Sequence, residues 1–181
     1  LSVDGYQIEV QDVILPVDNL TGPALTSRLA ALGVTNVSAV RFFANQADLT
    51  VRGVDVVGRY SWTWEGVGAF DASLGANFNR VKIDEIKPNP PELAGSGLVL
   101  VGRVSQGYLT QWAPKDKLIA SLNYTTGPID VNLSAVRYGE YKNTTANPAN
   151  DQVFSPQWVT KLAVSYSWRD GTKLTLGADK L

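Results

Sequence analysis

Asp84 and Glu85 are neighbouring carboxyl groups of this 181-residue chain that could in principle work as an acid and base pair. Such chemistry requires both groups to reach one substrate. The two residues lie in a segment with strand periodicity, where consecutive side chains point to opposite faces. The chain also has no His and no Cys, which removes the commonest general base and thiolate metal ligands. The sequence therefore predicts a protein that is not an enzyme and carries no cofactor.

The charge balance and the absence of long apolar runs narrow the class of protein further. The net charge is −1, with basic and acidic residues spread along the chain, which predicts no binding of nucleic acid. Every apolar run is much shorter than the roughly 20 residues that a membrane helix needs. The first residues lack the charged and apolar regions of a signal peptide. Because the chain begins with Leu1 and contains no Met, we expect it to be a fragment of a longer protein.

Seven segments alternate apolar and polar residues with a period of two, which is typical of β-strands. Short turns and long loops alternate between them, as expected for antiparallel hairpins joined in series. In the first long loop, Leu25, Leu29 and Leu32 follow helical spacing before a glycine, which predicts a short helix over 23–32. The predicted strands span approximately residues 6–13, 49–64, 70–86, 115–125, 129–135, 157–168 and 173–178.

Aromatic residues collect on the apolar faces of these strands, close to the short turns. In the second strand, Val54 and Val56 share a face with several rings that follow them. Because aromatic rings favour the boundary between apolar and aqueous phases, this pattern predicts an aromatic girdle at a membrane surface. The predicted girdle consists of Tyr60, Trp62, Trp64, Tyr124, Tyr166 and Trp168. Near the long loops, a second group predicts a second girdle, made of Tyr138, Tyr141 and Trp158.

The opposite faces of the same strands are polar. Asp55 and Arg59 are examples, and they predict either the lining of a solute path or salt bridges between strands. Alternation alone also fits a soluble antiparallel sandwich or a lipocalin-like barrel. Strands of about ten residues or more, with short turns at one end and long loops at the other, favour an outer-membrane barrel. The residues predicted to face its lumen are Asp55, Arg59, Lys117, Asn123 and Lys161.

We therefore predict an all-β fold: an antiparallel transmembrane β-barrel segment of about seven long strands. Short turns lie on one side, long loops on the other, and one loop contains the short helix. The whole chain, residues 1–181, forms one partial barrel domain in this prediction. A soluble β-sandwich binding module is the alternative, and it would have shorter strands with aromatic residues spread along them.

Three stretches carry a resemblance to a known family. The segment RFFANQADLTVRGVDVVGRYSW, residues 41–62, includes Thr50, Gly53, Val54 and Asp55 at the positions of a Thr-x-x-Gly-hydrophobic-acid strand. It resembles the β-barrel region of TonB-dependent outer-membrane receptors. The segment APKDKL at 113–118 is similar to the beginning of a late barrel strand, and LTLGADKL at 174–181 to the start of the final hairpin. Lys180 departs from the Asn usual at that position.

This resemblance implies a late part of a barrel of about 22 strands, without its plug domain or its closing strand. It implies a bacterial outer-membrane location and energy-coupled uptake of a scarce solute such as a ferric siderophore. The implied partners are outer-membrane lipid, the plug domain of the same parent chain, an energy-coupling inner-membrane complex and an iron chelate. A passive porin-like channel or structural barrel is the alternative within membranes.

By the same resemblance, two groups of residues at the long-loop ends are candidates for ligand binding. Clusters of aromatic and Arg side chains in this family contact iron chelates, and loops carry function more often than barrel walls do. Packing of Phe42 and Phe43 against the loop helix is the alternative for the first group. The candidate residues are Arg41, Phe42, Phe43 and Asn45 in the first group, and Tyr138, Glu140 and Tyr141 in the second.

Overall fold

The computed structural model describes the backbone of residues 1–181 and every side chain except that of Glu92. Within this part of the chain, β-strands form most of the structure, and two α-helices lie in the loops. The helices are α1 (Pro23–Ala31) and α2 (Arg103–Thr110). In chain order, the strands are β1 (Ser2–Pro16), β2 (Leu20–Thr21), β3 (Ala39–Val40), β4 (Phe43–Trp64), β5 (Gly68–Ile86), β6 (Asp116–Thr126), β7 (Ile129–Tyr138), β8 (Tyr141–Asn143), β9 (Gln152–Phe154), β10 (Gln157–Ser167) and β11 (Lys173–Asp179).

The long strands form one antiparallel sheet in the order β1-β4-β5-β6-β7-β10-β11. Each long strand pairs with its neighbours along the chain, and the sheet is open, with β1 and β11 at its edges. Tight turns join the hairpins at one end. At the other end lie three long loops, which we name loop 1 (17–42), loop 2 (87–115) and loop 3 (139–156). The predicted antiparallel barrel segment, with its seven strands and its loop helix, is confirmed.

A β-bulge explains why β4 begins at Phe43 and not at the predicted residue 49. The register shifts in the β1–β4 pairing between Val10 and Val13, and in the β4–β5 pairing between Asp48 and Leu49. Each shift interrupts the period-two alternation of apolar and polar side chains from which the strand was predicted. Asp12 adopts a positive φ of 56°, and its N–H donates to Asp48 Oδ1 at 2.8 Å.

The two faces of the sheet exchange polarity along β4 and β5. We call the face that carries Trp62 the outer face and the face that carries Asp55 the inner face. The β4–β5 register runs without interruption from Leu49↔Ile83 to Trp64↔Gly68, so each face can be followed through. From Val54 towards the tight turns the outer face is apolar, whereas beyond Val54 it carries Arg52 and Thr50. The inner face changes in the opposite sense, from polar residues to Val51 and Leu49.

The buried core lies on the apolar part of the inner face, at the end of the sheet near the long loops. Loops 1 and 2 cover the sheet there, and α1 joins the cluster through its buried Leu25 and the half-buried Leu29. The core consists of Leu15, Val17, Leu20, Leu25, Ala47, Leu49, Leu98, Leu100 and Val101. Among the described residues, no helix is long and apolar enough to cross a membrane.

Candidate functional site

Helix α2 is the structural centre of the loop region, and Asp18 of loop 1 caps its N-terminus. Asp18 Oδ1 accepts from the N–H of Ser105 at 2.7 Å and Oδ2 from the N–H of Val104 at 3.3 Å. The hydroxyl of Ser105, a residue only 1% exposed, lies 2.5 Å from Asp18 Oδ1. Gly102 permits this approach, since a Cβ at that position would overlap the Asp18 carboxylate. The negative carboxylate also complements the positive end of the helix dipole.

Loop 3 docks on the same helix through Asp151. Arg103 of α2 donates from both Nη atoms to the two Asp151 oxygens, at 2.8 and 2.5 Å. Lys142 Nζ lies 2.8 Å from Asp151 Oδ2, and the N–H of Thr145 donates to Oδ1 at 3.0 Å. These bonds stabilise the charged carboxylate, so Arg103 first, then Lys142 and Thr145, hold the pKa of Asp151 far below its usual range. Nearby, Gly107 leaves room for the buried Thr144 of loop 3.

This pKa gives the docking of loop 3 a defined pH dependence. A carboxyl group whose pKa is lower in the folded protein than in the unfolded protein stabilises the fold. This stabilisation is fully present at pH values above the unfolded-state pKa of about 4. That contribution is lost only as the pH falls through the lower folded value. We therefore expect equal hydrogen-exchange protection of the Thr145 amide at pH 7 and pH 4.5, after correction for intrinsic rates. Asp151→Asn should reduce this protection at both pH values, whereas Asp179→Asn, at an exposed ion pair, should leave it unchanged. Protection that disappears by pH 4.5 in the unmodified protein would contradict this assignment.

Three of the four candidate residues of the first group line an open pocket of about 430 Å³, together with a residue of α2 and one of β1. Arg41 donates from Nε to the carbonyl of Val17 at 3.0 Å, and its Cζ lies 5.8 Å from the centre of the Tyr108 ring. Tyr108 in turn packs edge to face with Trp112 at 5.2 Å. The pocket is lined by Pro16, Arg41, Phe42, Phe43 and Tyr108.

The two phenylalanines of this group lie outside the buried core: Phe43 is 72% exposed and Phe42 36% exposed, and neither belongs to the core that α1 joins. Their packing against the loop helix stays a prediction. Asn45 lies opposite Ile14 in the β1–β4 pairing, exposed and outside the pocket lining. Pro16 and Tyr108 are the two pocket residues that the sequence pattern did not indicate.

The second candidate group does not form one cluster. Tyr138 lies on the inner face, with Lys117 Nζ 5.2 Å from the centre of its ring. Tyr141 belongs to the short β8–β9 hairpin and stacks on Phe154 at 4.5 Å. Glu140, between them, is exposed. The ligand-binding role of these three residues is a prediction that rests on their loop position alone.

All five residues predicted to face the lumen lie on the inner face and contact neighbouring strands. Arg59 forms a bidentate pair with Asp71 of β5, with Nη2 at 2.7 Å from Oδ2. Asp55 accepts from Asn77 Nδ2 at 2.5 Å. The others pair as Lys117 with Tyr138, Asn123 with Asn132 at 2.5 Å, and Lys161 with Asp179 at 3.4 Å. The salt bridge between strands that was one alternative for Arg59 is therefore present.

The predicted girdle residues form rows of rings on the outer face, beside the tight turns. Trp62 stacks on Tyr60 at 5.6 Å and on Phe70 at 5.0 Å, and Phe70 stacks on Tyr124 at 4.8 Å. Tyr166 and Trp168 meet edge to face at 4.7 Å. The remaining girdle residue, Trp64, is 65% exposed on the same face.

The second girdle, expected near the long loops, is wrong in two of its three members. Trp158 lies opposite Arg137 on the outer face and is 57% exposed. Tyr138 is on the inner face because it follows Arg137 by one residue in the same strand. Tyr141 lies beyond the sheet, in the hairpin of loop 3.

Within the described side chains, no group of three or more Asp and Glu residues lies close enough together to hold a metal ion. The arrangement instead provides an antiparallel sheet with an apolar outer band, lined by aromatic rings beside the tight turns, and a structured loop cluster over the other end of its inner face. This combination defines an outer-membrane barrel wall with extracellular loops.

A family model described as TonB dependent receptor-like, beta-barrel matches residues 1–181, so the chain belongs to this family. Comparison with curated proteins and with solved structures gave no significant match. The family consists of transporters of the bacterial outer membrane. Their barrels work with a plug domain, with TonB-coupled energy transduction and with small-solute ligands.

Proposed function

We propose that this barrel segment helps to bind and import a scarce anionic solute, such as a ferric siderophore, by way of the pocket at Arg41 and Tyr108. The observation that carries the proposal is the guanidinium of Arg41 held 5.8 Å from the Tyr108 ring centre beside two exposed phenylalanines. A fixed cation among aromatic rings suits a planar, negatively charged ligand. The volume of about 430 Å³ lies within the range of small-molecule sites.

The remaining steps of transport are those by which receptors of this family work. The plug domain of the parent chain fills the lumen, and polar inner-face residues such as Asp55, Lys117 and Lys161 line the path beside it. An inner-membrane complex supplies the energy through the plug. The chain itself carries out no catalysis and requires no cofactor. Glu140 and Tyr141 of loop 3, and Tyr138 at the end of β7, contribute further contacts in this proposal.

The test uses the complete receptor and a panel of ferric siderophores. Arg41→Gln should weaken binding about tenfold, which corresponds to the loss of one charge-assisted hydrogen bond. Tyr108→Leu should weaken it as well, through loss of the ring that positions Arg41. Arg169→Gln, in a tight turn at the opposite end of the strands, is the matched control and should bind normally. Normal binding by both pocket variants, for every siderophore that the unmodified receptor binds, would refute the site.

Uptake into whole cells separates energy-coupled transport from the porin-like alternative. Dissipating the proton gradient should abolish accumulation while leaving surface binding intact. A passive channel would continue to equilibrate the solute. Accumulation that is insensitive to the gradient would therefore favour the passive channel.

A further inference from the structure

A cationic groove of about 760 Å³ lies on the outer face, where β6 begins beside the longer β5. The N–H of Asn79 donates to the carbonyl of Lys115 at 2.8 Å, and beyond this point β5 continues without β6 as a partner. The charged residues of the lining are four cations, Arg52, Arg80, Lys82 and Lys115, and two carboxylates, Asp84 and Asp116. The groove is therefore positive, although the whole chain has a net charge of −1.

The positive charges of this groove are only partly neutralised. Arg52 and Arg80 are directly opposite each other in the β4–β5 register, an arrangement of like charges that destabilises a sheet. Asp116 is paired with Arg137, and Asp84 accepts from Lys82 at 2.8 Å. Among the described side chains, Arg80 has no ion-pair or hydrogen-bond partner, and Arg52 donates only from Nε, to Gln7 at 2.8 Å. An external anion would remove the repulsion.

The groove lies immediately beyond the end of the apolar band. Its floor includes Val54 and Phe78, which face each other across β4 and β5 and are about half exposed. From Val54 to Trp64 the strand rises about 33 Å, which at a tilt near 45° gives an apolar band of about 23 Å, close to that of membrane barrels. Arg52 and Arg80 stand two residues further, about 7 Å along their strands. This position corresponds to lipid headgroups on the long-loop side, which is the extracellular leaflet.

We propose that this groove binds the phosphorylated headgroup of an anionic lipid of the outer leaflet. Arg52, Arg80 and Lys115 contact the phosphate oxygens, and the acyl chains of the lipid pack on Val54 and Phe78. Guanidinium groups suit this role because their forked N–H groups match phosphate geometry. The site faces outward from the barrel, so it serves to anchor and orient the wall in the membrane and is independent of solute binding.

The experiment measures lipid binding to the complete receptor in a non-ionic detergent by native mass spectrometry. The probes are lipid A with two phosphates, the same lipid without phosphates, and phosphatidylcholine. The double variant Arg52→Gln, Arg80→Gln should weaken binding of phosphorylated lipid A about thirtyfold, the expected contribution of two basic residues near a lipid surface. Lys173→Gln, which makes the same type of charge change at the opposite end of the strands, should bind normally.

The unmodified receptor provides a second measurement in case the double variant does not fold. It should prefer phosphorylated lipid A over the two other lipids by a similar factor. Equal binding of all three lipids would overturn the proposal, as would an unchanged affinity in a folded double variant. Competition by inorganic phosphate at concentrations comparable to the lipid would also overturn it, because the site would then be one for a free phosphate solute.

Discussion

Replacing Asp18 with alanine is expected to detach helix α2 from loop 1 and to lower the local free energy of opening by about 2–4 kcal/mol. The substitution removes the acceptor of two helix N–H groups and leaves the buried hydroxyl of Ser105 without its closest partner. Because Arg103 and Tyr108 lie on the same helix, contacts to loop 3 and to Arg41 should weaken together. Hydrogen exchange of the α2 amides measures this opening directly.

The matched control is Asp170→Ala, which removes a carboxylate that accepts from the N–H of Thr172 at 2.9 Å in a tight turn. It removes the same charge, but at the opposite end of the strands, and should leave α2 protected. Asp18→Asn retains one acceptor oxygen and should give an intermediate effect. If α2 exchange is the same in Asp18→Ala and in the control, the helix is held by other contacts.

The long strands are predictable from the sequence because the two faces of each strand carry side chains of different polarity. Leu122, Leu133 and Leu162, for example, recur at alternate positions of three segments, and the structure places them side by side on the outer face. Turn residues such as Gly127 and Gly171 mark the hairpin ends, where both adopt positive φ values. Local chemistry is therefore sufficient to define strands and turns.

The loop cluster is not predictable in this way, because its contacts join residues that are distant in sequence. Asp18 lies 86 positions before Val104, and Arg103 lies 48 before Asp151. Helix α2 spans only eight residues and has neither a capping side chain of its own nor acidic residues in its first turn. Its stabilising carboxylate comes from another loop, so the usual sequence signal of a helix start is absent.

The exchange of polarity near Val54 explains a further discrepancy between sequence and structure. A single alternating pattern suggests that one face is apolar throughout, yet Arg52 and Trp62 lie on the same face of β4. On the side of the tight turns this outer face is apolar, and on the side of the long loops it carries charged residues. The inner face is polar towards the turns and is covered by loops at its other end. One strand thus passes through two environments, and its length of 22 residues accommodates both.

A cationic residue in the apolar band should have a large effect that depends on the face. Leu133 lies between Leu122 and Leu162 in the middle of the band, so Leu133→Arg is expected to destabilise the folded barrel by about 2–4 kcal/mol. Asn132→Arg, one residue earlier on the polar inner face, should cost less than about 1 kcal/mol, since its side chain does not face lipid. The adjacent position, strand and introduced residue make this a closely matched pair.

The free energy of unfolding of each variant is measured by reversible denaturant titration of the complete receptor in lipid vesicles. The expected ordering follows from the alternation of side chains in β7, where Asn132 pairs with Asn123 and Ala163 on one face and Leu133 contacts leucines on the other. Equal destabilisation by the two variants would mean that both faces meet similar surroundings, as in a soluble sandwich. A larger penalty at Asn132 would place lipid on the inner face and reverse the assignment of the lumen, the girdle and the cationic groove together.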